Sequence, residues 1–284
     1  ICGDIMGAFI ELVGLIPLDS LLDAGKFYLN QQNSSCGVSD SQLIHIAIKS
    51  MGLDEMYPFN KNEKIIDYMI DDSEKLINQT ISNFADEVSS DSPAPGGGSI
   101  SALAGSLSAS LISMVSNLSH NKKQFSDKDT INKIACDAQK LKKTFLSLID
   151  RDTKAFDQLM LSFRLPKKTK KEIDFKAKEI IKMSKLVTEV PLETLEKSLD
   201  AINLVFDVLD IGNQNCISDV GVAGEMAYSC SYGAYYNVKI NLIDLKDDID
   251  YCKKINLKAK NIISEIDNKI SDLRFKILKN LNNE

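Results

Sequence analysis

The sequence predicts an all-α helical bundle of about seven helices, preceded by a small mixed α/β piece. Three observations carry this expectation. After residue 73 or so, apolar residues recur at steps of three and four, the period of an amphipathic helix. Glycine and proline are almost absent from the interiors of these stretches, and fall between them instead. The connections are mostly short, and no strand pattern alternates with the helices, which argues against a βαβ array.

Residues 1–70 supply the mixed piece. Ala8 to Leu15 reads as a strand broken by Pro17, Leu18 to Tyr28 as a helix, and Asn30 to Ser41 as a polar loop. Ser41 to Met51 reads as a second short helix, with Gly52 as its stop. A lone strand makes no sheet, so either further sequence completes this piece or it docks on the rest. The chain opens on Ile1, and the apolar run from Ile5 to Leu18 contains Glu11, lacks a basic leader and is too short for a bilayer. That start reads as a truncation rather than a signal peptide or membrane span.

Ser73 to Ser89 is amphipathic and runs to the stretch Pro93-Ala94-Pro95-Gly96-Gly97-Gly98-Ser99. Proline and glycine stop the preceding element, and Ser99 offers a hydroxyl cap to the next helix. That helix carries an apolar stripe of Ile100, Leu103, Leu107, Leu111, Met114 and Leu118. Its other faces bear Ala102, Gly105, Ala109 and Ser113, small enough for a helix or ligand to approach the backbone. Free N–H groups at the positive end of a helix dipole suit an anion; a helix start built only for tight packing is the plainer reading of the loop alone. Neither a Walker loop nor G-x-G-x-x-G is present. Asp129–Phe163, Thr169–Thr188, Leu192–Leu209, Asp219–Leu242 and Asp247–Leu281 complete the helices.

Composition narrows the function. A 44% hydrophobic and 26% charged chain is that of a soluble globular protein, and a net charge of −6 argues against a general nucleic-acid binder. Six scattered cysteines without a C-x-x-C pair, and only two histidines, argue against a zinc site and fit a reducing, cytoplasmic setting.

The long helix holds the sharpest chemical signal. Leu141, Phe145, Leu148, Asp152, Phe156, Leu159 and Phe163 form one stripe with a carboxylate in its middle, whereas Asp150 points to another face and is expected in solvent. A carboxyl held among Leu and Phe is desolvated, which raises its pKa and lets it donate or accept a proton near neutral pH. A structural carboxylate paired to a buried cation or N–H is the alternative. Further on, Asp219 can cap a helix whose inner face reads Val220, Ala223, Ala227, Cys230, Ala234, Asn237 and Asn241. Two amides on an apolar face need partners, either across helices or on a heteroaromatic ligand. Lys122, Lys123 and Arg164 lie at helix ends, and Lys167, Lys168, Lys170 and Lys171 form a basic turn; such clusters steer anions or simply meet solvent. His45 reads as a packing residue and His120 as a helix C-terminal cap, neither with a nucleophile at readable spacing.

These segments together resemble the formiminotransferase-cyclodeaminase family of folate enzymes. The likeness runs through Ala94-Pro95-Gly96-Gly97-Gly98-Ser99, Lys123-Gln124-Phe125, Asp150-x-Asp152-x-x-Ala155-Phe156, Arg164-Leu165-Pro166-Lys167, Val190-Pro191-Leu192, Gly212-Asn213 with Ser218-Asp219, and Gly233-Ala234-Tyr235-Tyr236-Asn237. Glu11-Leu12-Val13-Gly14-Leu15-Ile16-Pro17-Leu18, Gly52-Leu53-Asp54 and Pro58-Phe59 resemble the tail of the transferase portion, whose catalytic part lies upstream in the family. The resemblance divides the chain into a transferase-like 1–70 and a cyclodeaminase-like 71–284. It implies conversion of 5-formiminotetrahydrofolate to 5,10-methenyltetrahydrofolate and ammonia, in one-carbon metabolism and histidine degradation. The implied proton donor/acceptor is Asp152. Gly97, Gly98, Ser99, Asp219, Asn237 and Asn241 would line the pocket, with Lys123 or Arg164 meeting the folate's glutamate carboxylates. No metal is implied. The folate substrate, a helical homodimer with ligand sites near the subunit contact, and larger rings in the bifunctional protein are implied. Methenyltetrahydrofolate cyclohydrolase activity and a catalytically idle folate-binding or scaffolding dimer are the competing readings.

Overall fold

The computed structural model describes residues 12–70, 75–122 and 127–282. Its helices are α1 (Leu18–Gln31), α2 (Asp40–Ser50), α3 (Lys61–Lys64), α4 (Ile66–Ile70), α5 (Ile81–Val88), α6 (Gly97–His120), α7 (Lys128–Phe163), α8 (Lys170–Ile211), α9 (Ile217–Asn241) and α10 (Ile249–Leu281). Single 3-10 turns sit at Leu76–Asn78, Gln214–Cys216 and Leu242–Leu245.

Among its described residues the N-terminal segment holds helices and one isolated bridge, with no strand. Residues 8–11 of the expected strand lie outside the described residues. Leu12 to Leu15 belong to no element, and Ile16 makes only an isolated parallel bridge to Ile65. With one pairing partner there is no ladder for a strand to propagate. The short helices follow expectation. Ser39 and Gln42 form a capping box that starts α2, and Gly52 takes a left-handed φ of 67° just past its end. Leu21, Leu22, Leu43, Ile44 and Ile65 make a small core between α1, α2 and the bridge. This unit docks on the bundle through the loop after α1. The Gly37 carbonyl accepts from Ser113 Oγ (2.9 Å), Asn117 Nδ2 (2.7 Å) and Gln139 Nε2 (3.2 Å), and a Cβ at Gly37 would strike Ala135.

Helix α6 runs through the centre of the bundle against α7, α8 and α9, with α10 laid over α8 and α9. Its small faces take the helix contacts, as their size leads one to expect. Of the stripe, Ile100, Leu107, Met114 and Leu118 are exposed, Leu107 by 48% and Leu118 by 46%, and Leu103 and Leu111 pack partly against the core, while Ala102, Gly105, Ala109 and Ser113 are buried. Small side chains let neighbouring helices close in: a Cβ on Gly105 would enter the Phe145 ring, and Ser108 Oγ donates to the Ala223 carbonyl of α9 at 2.7 Å. No Asp, Glu, Lys or Arg occurs from Gly97 to His120, so α6 is long and apolar enough to cross a membrane by length and composition, although 61% of that window is buried in the bundle.

Two further expectations are corrected. Thr169–Thr188 and Leu192–Leu209 are one helix, α8, with Pro191 inside it. Proline removes the N–H that would bond the Val187 carbonyl. Asn241 Nδ2 of α9 takes that carbonyl at 2.6 Å, so the helix continues without an orphaned acceptor. The stretch expected as one helix over Ser73–Ser89 holds only the turn at Leu76–Asn78 and α5, which Thr80 caps; Ser73 itself lies outside the described residues.

Candidate functional site

The site assembles where α6 begins. Gly96 is its N-cap, in extended backbone, and contributes no side chain to the unpaired N–H groups of the first turn. Ser99 is the third helical residue, not the expected cap, and its hydroxyl points across to α7. Asp152 fills the position the cap left open. Its carboxyl lies against Gly98, where a Cβ would collide with it, and its Oδ2 accepts from the Ser99 hydroxyl at 3.1 Å. The anion expected at this helix terminus is therefore one the protein itself supplies.

Ser99 is fully buried, and its Oγ also lies 3.1 Å from the Ile149 carbonyl and 3.3 Å from Thr153 Oγ1. Around Asp152, Leu148, Ala155 and Leu159 are buried; Phe163, at the far end of the expected stripe, is 45% exposed. Burial pushes the Asp152 carboxyl above the ordinary aspartate range, and the Ser99 hydroxyl and N–H hold it back in part. Asn237 of α9 closes the other side. Its Nδ2 donates to the Gly233 carbonyl at 2.8 Å, and the amide would lie 3.2 Å from a Cβ on Gly97. Three helices thus bring Gly97, Gly98, Ser99, Asp152 and Asn237 into one constellation, with a carboxyl able to exchange a proton at its centre.

A sequence profile described as Formiminotransferase-cyclodeaminase matches residues 80–261, well over half the chain, and one described as Formiminotransferase domain matches residues 4–71. The chain belongs to the formiminotransferase-cyclodeaminase family. It is 32% identical to the Formimidoyltransferase-cyclodeaminase of Mus musculus over 259 residues, covering 90% of this chain and 48% of that protein. The chain thus spans about half the length of the curated relatives of that name. It is also 36% identical to the Methenyltetrahydrofolate cyclohydrolase of Methylorubrum extorquens over 171 residues, 60% of this chain and 82% of that protein. In fold it resembles the crystal structure of formiminotetrahydrofolate cyclodeaminase from Thermotoga maritima, with a TM-score of 0.61, 21% identity, and coverage of 74% of this chain and 98% of that one.

In this member of the formiminotransferase-cyclodeaminase family the remaining expected residues are dispersed. Asn241, one turn beyond Asn237, has its amide nitrogen on the Val187 carbonyl. Arg164 is exposed at the end of α7, about 18 Å along that helix from Asp152. Asp219 does not cap α9; it sits in the first turn, after the N-cap Cys216. Because α9 runs antiparallel to α6, Asp219 lies about 25 Å from Ser99. Lys122 is at the same far end, donating to Asn213 Oδ1 at 2.7 Å. Lys123 falls outside the described residues. His120 is buried with Nδ1 unpartnered rather than capping, and His45 is exposed rather than packed.

Asp150 departs from expectation too. It is half-buried, not solvated, and its Oδ1 accepts the Leu76 N–H at 2.9 Å, which pins the turn before α5 to α7. It borders a groove of about 310 Å³ lined also by Lys75, Lys143, Arg151 and Lys154, on the flank of α7 turned away from α6. Thr153 and the Ile149 carbonyl were missed by sequence reasoning. Their role depends on a hydroxyl approaching from 50 and 54 residues away. Pro191 inside a helical pattern was the one readable signal for the Asn241 contact.

Proposed function

We propose that this chain is a formimidoyltetrahydrofolate cyclodeaminase, acting on 5-formiminotetrahydrofolate with Asp152 as proton donor and acceptor. The observation that carries the reading is the half-buried Asp152 carboxyl, held by Ser99 at the start of α6 in a chain of this family. In the proposed reaction N10 of the folate attacks the carbon of the protonated formimino group, forming the N10–C bond as the C=NH2+ double bond becomes a carbon–amino single bond. The carboxylate takes the proton that N10 loses. The bond from carbon to the imino nitrogen then breaks, and Asp152 returns the proton so that nitrogen leaves as ammonia. The carboxyl ends as it began, and 5,10-methenyltetrahydrofolate is released. Gly97, Gly98, Ser99, Asn237 and Asn241 are the proposed lining for the reacting part of the folate, and Lys123 or Arg164 for its glutamate carboxylates. Residues 71–284 are read as the catalytic domain, 1–70 as the transferase-like one, and the setting as cytoplasmic.

The reading includes a homodimer. The outward stripe of α6 carries Ile100, Leu107, Met114 and Leu118 with no charge along the helix, which is unlike a solvated face. A two-fold axis across that stripe would set the Asp219 end of one copy beside the Asp152 end of the other. Mixed expression of Asp152→Asn and Asp219→Ala chains, each inactive alone, should then recover about a quarter of wild-type turnover. Recovery of none would leave each site within one chain.

The Methylorubrum extorquens relative favours a second reading, hydrolysis of 5,10-methenyltetrahydrofolate. Purified chain given each folate separately decides between them. Ammonia release with growth of the methenyl chromophore supports the cyclodeaminase, and loss of that chromophore without ammonia supports the cyclohydrolase. A folded chain that binds folate and turns over neither is an idle binder.

A further inference from the structure

We propose that the Ser99 hydroxyl is a positioning residue that follows the proton of Asp152. It donates to Oδ2 while the carboxylate is charged and turns to the Ile149 carbonyl when the carboxyl carries a proton. For its kinetic consequence this rests on the cyclodeaminase reading; for its structural content it does not.

A hydroxyl has one hydrogen to give and lone pairs to receive. Ser99 Oγ has two acceptors equidistant at 3.1 Å, Asp152 Oδ2 and the Ile149 carbonyl, and a third oxygen, Thr153 Oγ1, at 3.3 Å. With no exposed surface, Ser99 cannot exchange these partners for bulk solvent. When Asp152 is an anion, the Ser99 hydrogen goes to Oδ2 as a charge-assisted bond. When Asp152 is protonated, its own hydrogen needs an acceptor, and the Ser99 lone pair at the same distance provides it. The Ser99 hydrogen then moves to the Ile149 carbonyl, which keeps a second lone pair beyond its helical bond. Ser99 is bonded in both states, so the carboxyl stays in place while its charge changes. Ser99 retains its own hydrogen throughout and relays none.

The surroundings leave this hydroxyl in control. From α6 no Asp, Glu, Lys or Arg is available, and from α9 the neighbour at Gly97 is the Asn237 amide. On α7 itself Arg151 is paired with Glu193 of α8 at 2.7 Å, and Asp150 is turned to the Leu76 N–H. Lys154 acts on Asp150, whereas among the described residues burial and Ser99 are what act on Asp152.

The test is a titration of the Asp152 carboxyl in full chain carrying carboxyl-13C aspartate, with the resonance assigned by its disappearance in Asp152→Asn. In Ser99→Ala that has kept wild-type helicity, the midpoint should move up by about one pH unit. The Asp152-dependent limb of the kcat/KM profile on 5-formiminotetrahydrofolate should move with it. An unchanged or lowered midpoint overturns the proposal. If Ser99→Ala does not fold, Ser99→Cys, a weaker donor of similar size, is read by the same criterion with a smaller upward shift. A shifted midpoint in a chain whose wild type turns over no formiminofolate upholds the Ser99 assignment and sinks the cyclodeaminase reading.

Discussion

Two carboxylates stand two residues apart on α7 and serve opposite flanks of it. Both are held above the ordinary aspartate range chiefly by burial. Asp150 is committed to a backbone N–H of the turn before α5, with Lys154 and Lys75 acting on it. Asp152 is met by a hydroxyl that has somewhere else to turn, and by the first turn of α6. The difference teaches that burial alone does not make a proton-transfer group. A carboxyl locked to an N–H donor is a fastener; one whose partner accommodates both charge states is free to cycle.

The sharpest way to break this contrast is to neutralise each carboxyl. Asp152→Asn should cut turnover of 5-formiminotetrahydrofolate by about a hundredfold or more with the fold retained, whereas Asp150→Asn should stay within about tenfold. Equal losses would erase the distinction. Next in size, Gly98→Ala drives a Cβ into the Asp152 carboxyl and should lower turnover at least about tenfold by displacing it; kinetics of the folded variant check this.

A smaller effect appears in stability. Because the folded Asp152 carboxyl is raised, the fold favours its protonated form. That advantage is complete below the ordinary aspartate range and is lost as pH rises through the folded value. Asp152→Asn should therefore melt a few degrees higher than wild type at neutral pH, and the gain should disappear in acid. A variant melting lower at pH 7 would show that the anion stabilises α6 more than burial penalises it. The finest test leaves the carboxylates aside. Asn241→Ala should cost about 1–3 kcal/mol by orphaning the Val187 carbonyl, and much less in a Pro191→Ala background that restores the helical N–H. Additive losses would mean the two residues act independently.

Local chemistry was legible in the sequence. The α2 start, the Gly52 stop, the α7 limits and Asp152 all follow from short-range signals that no distant contact overrides. The small faces of α6 were legible as contact surfaces, but the exposure of Leu107 and Leu118 was not, because periodicity finds a stripe without saying which side the neighbouring helices take. Asp150 looked solvated because its partner, Leu76, arrives from 74 residues earlier. Pro191 looked like a boundary because the donor that rescues its helix lies on α9, 54 residues past Val187. In each case spacing along one helix was read correctly, and the deciding group came from another.

The inner face of α6 has one more consequence. Where alanine, glycine and serine already fill the contact, trimming side chains removes little, and hollowing by substitution is not the main hazard. Injury comes from excess: a single methyl at Gly105 has nowhere to go but the Phe145 ring. The middle of this protein is built to fail by crowding, so sequence drift there should be confined to trades among its smallest residues.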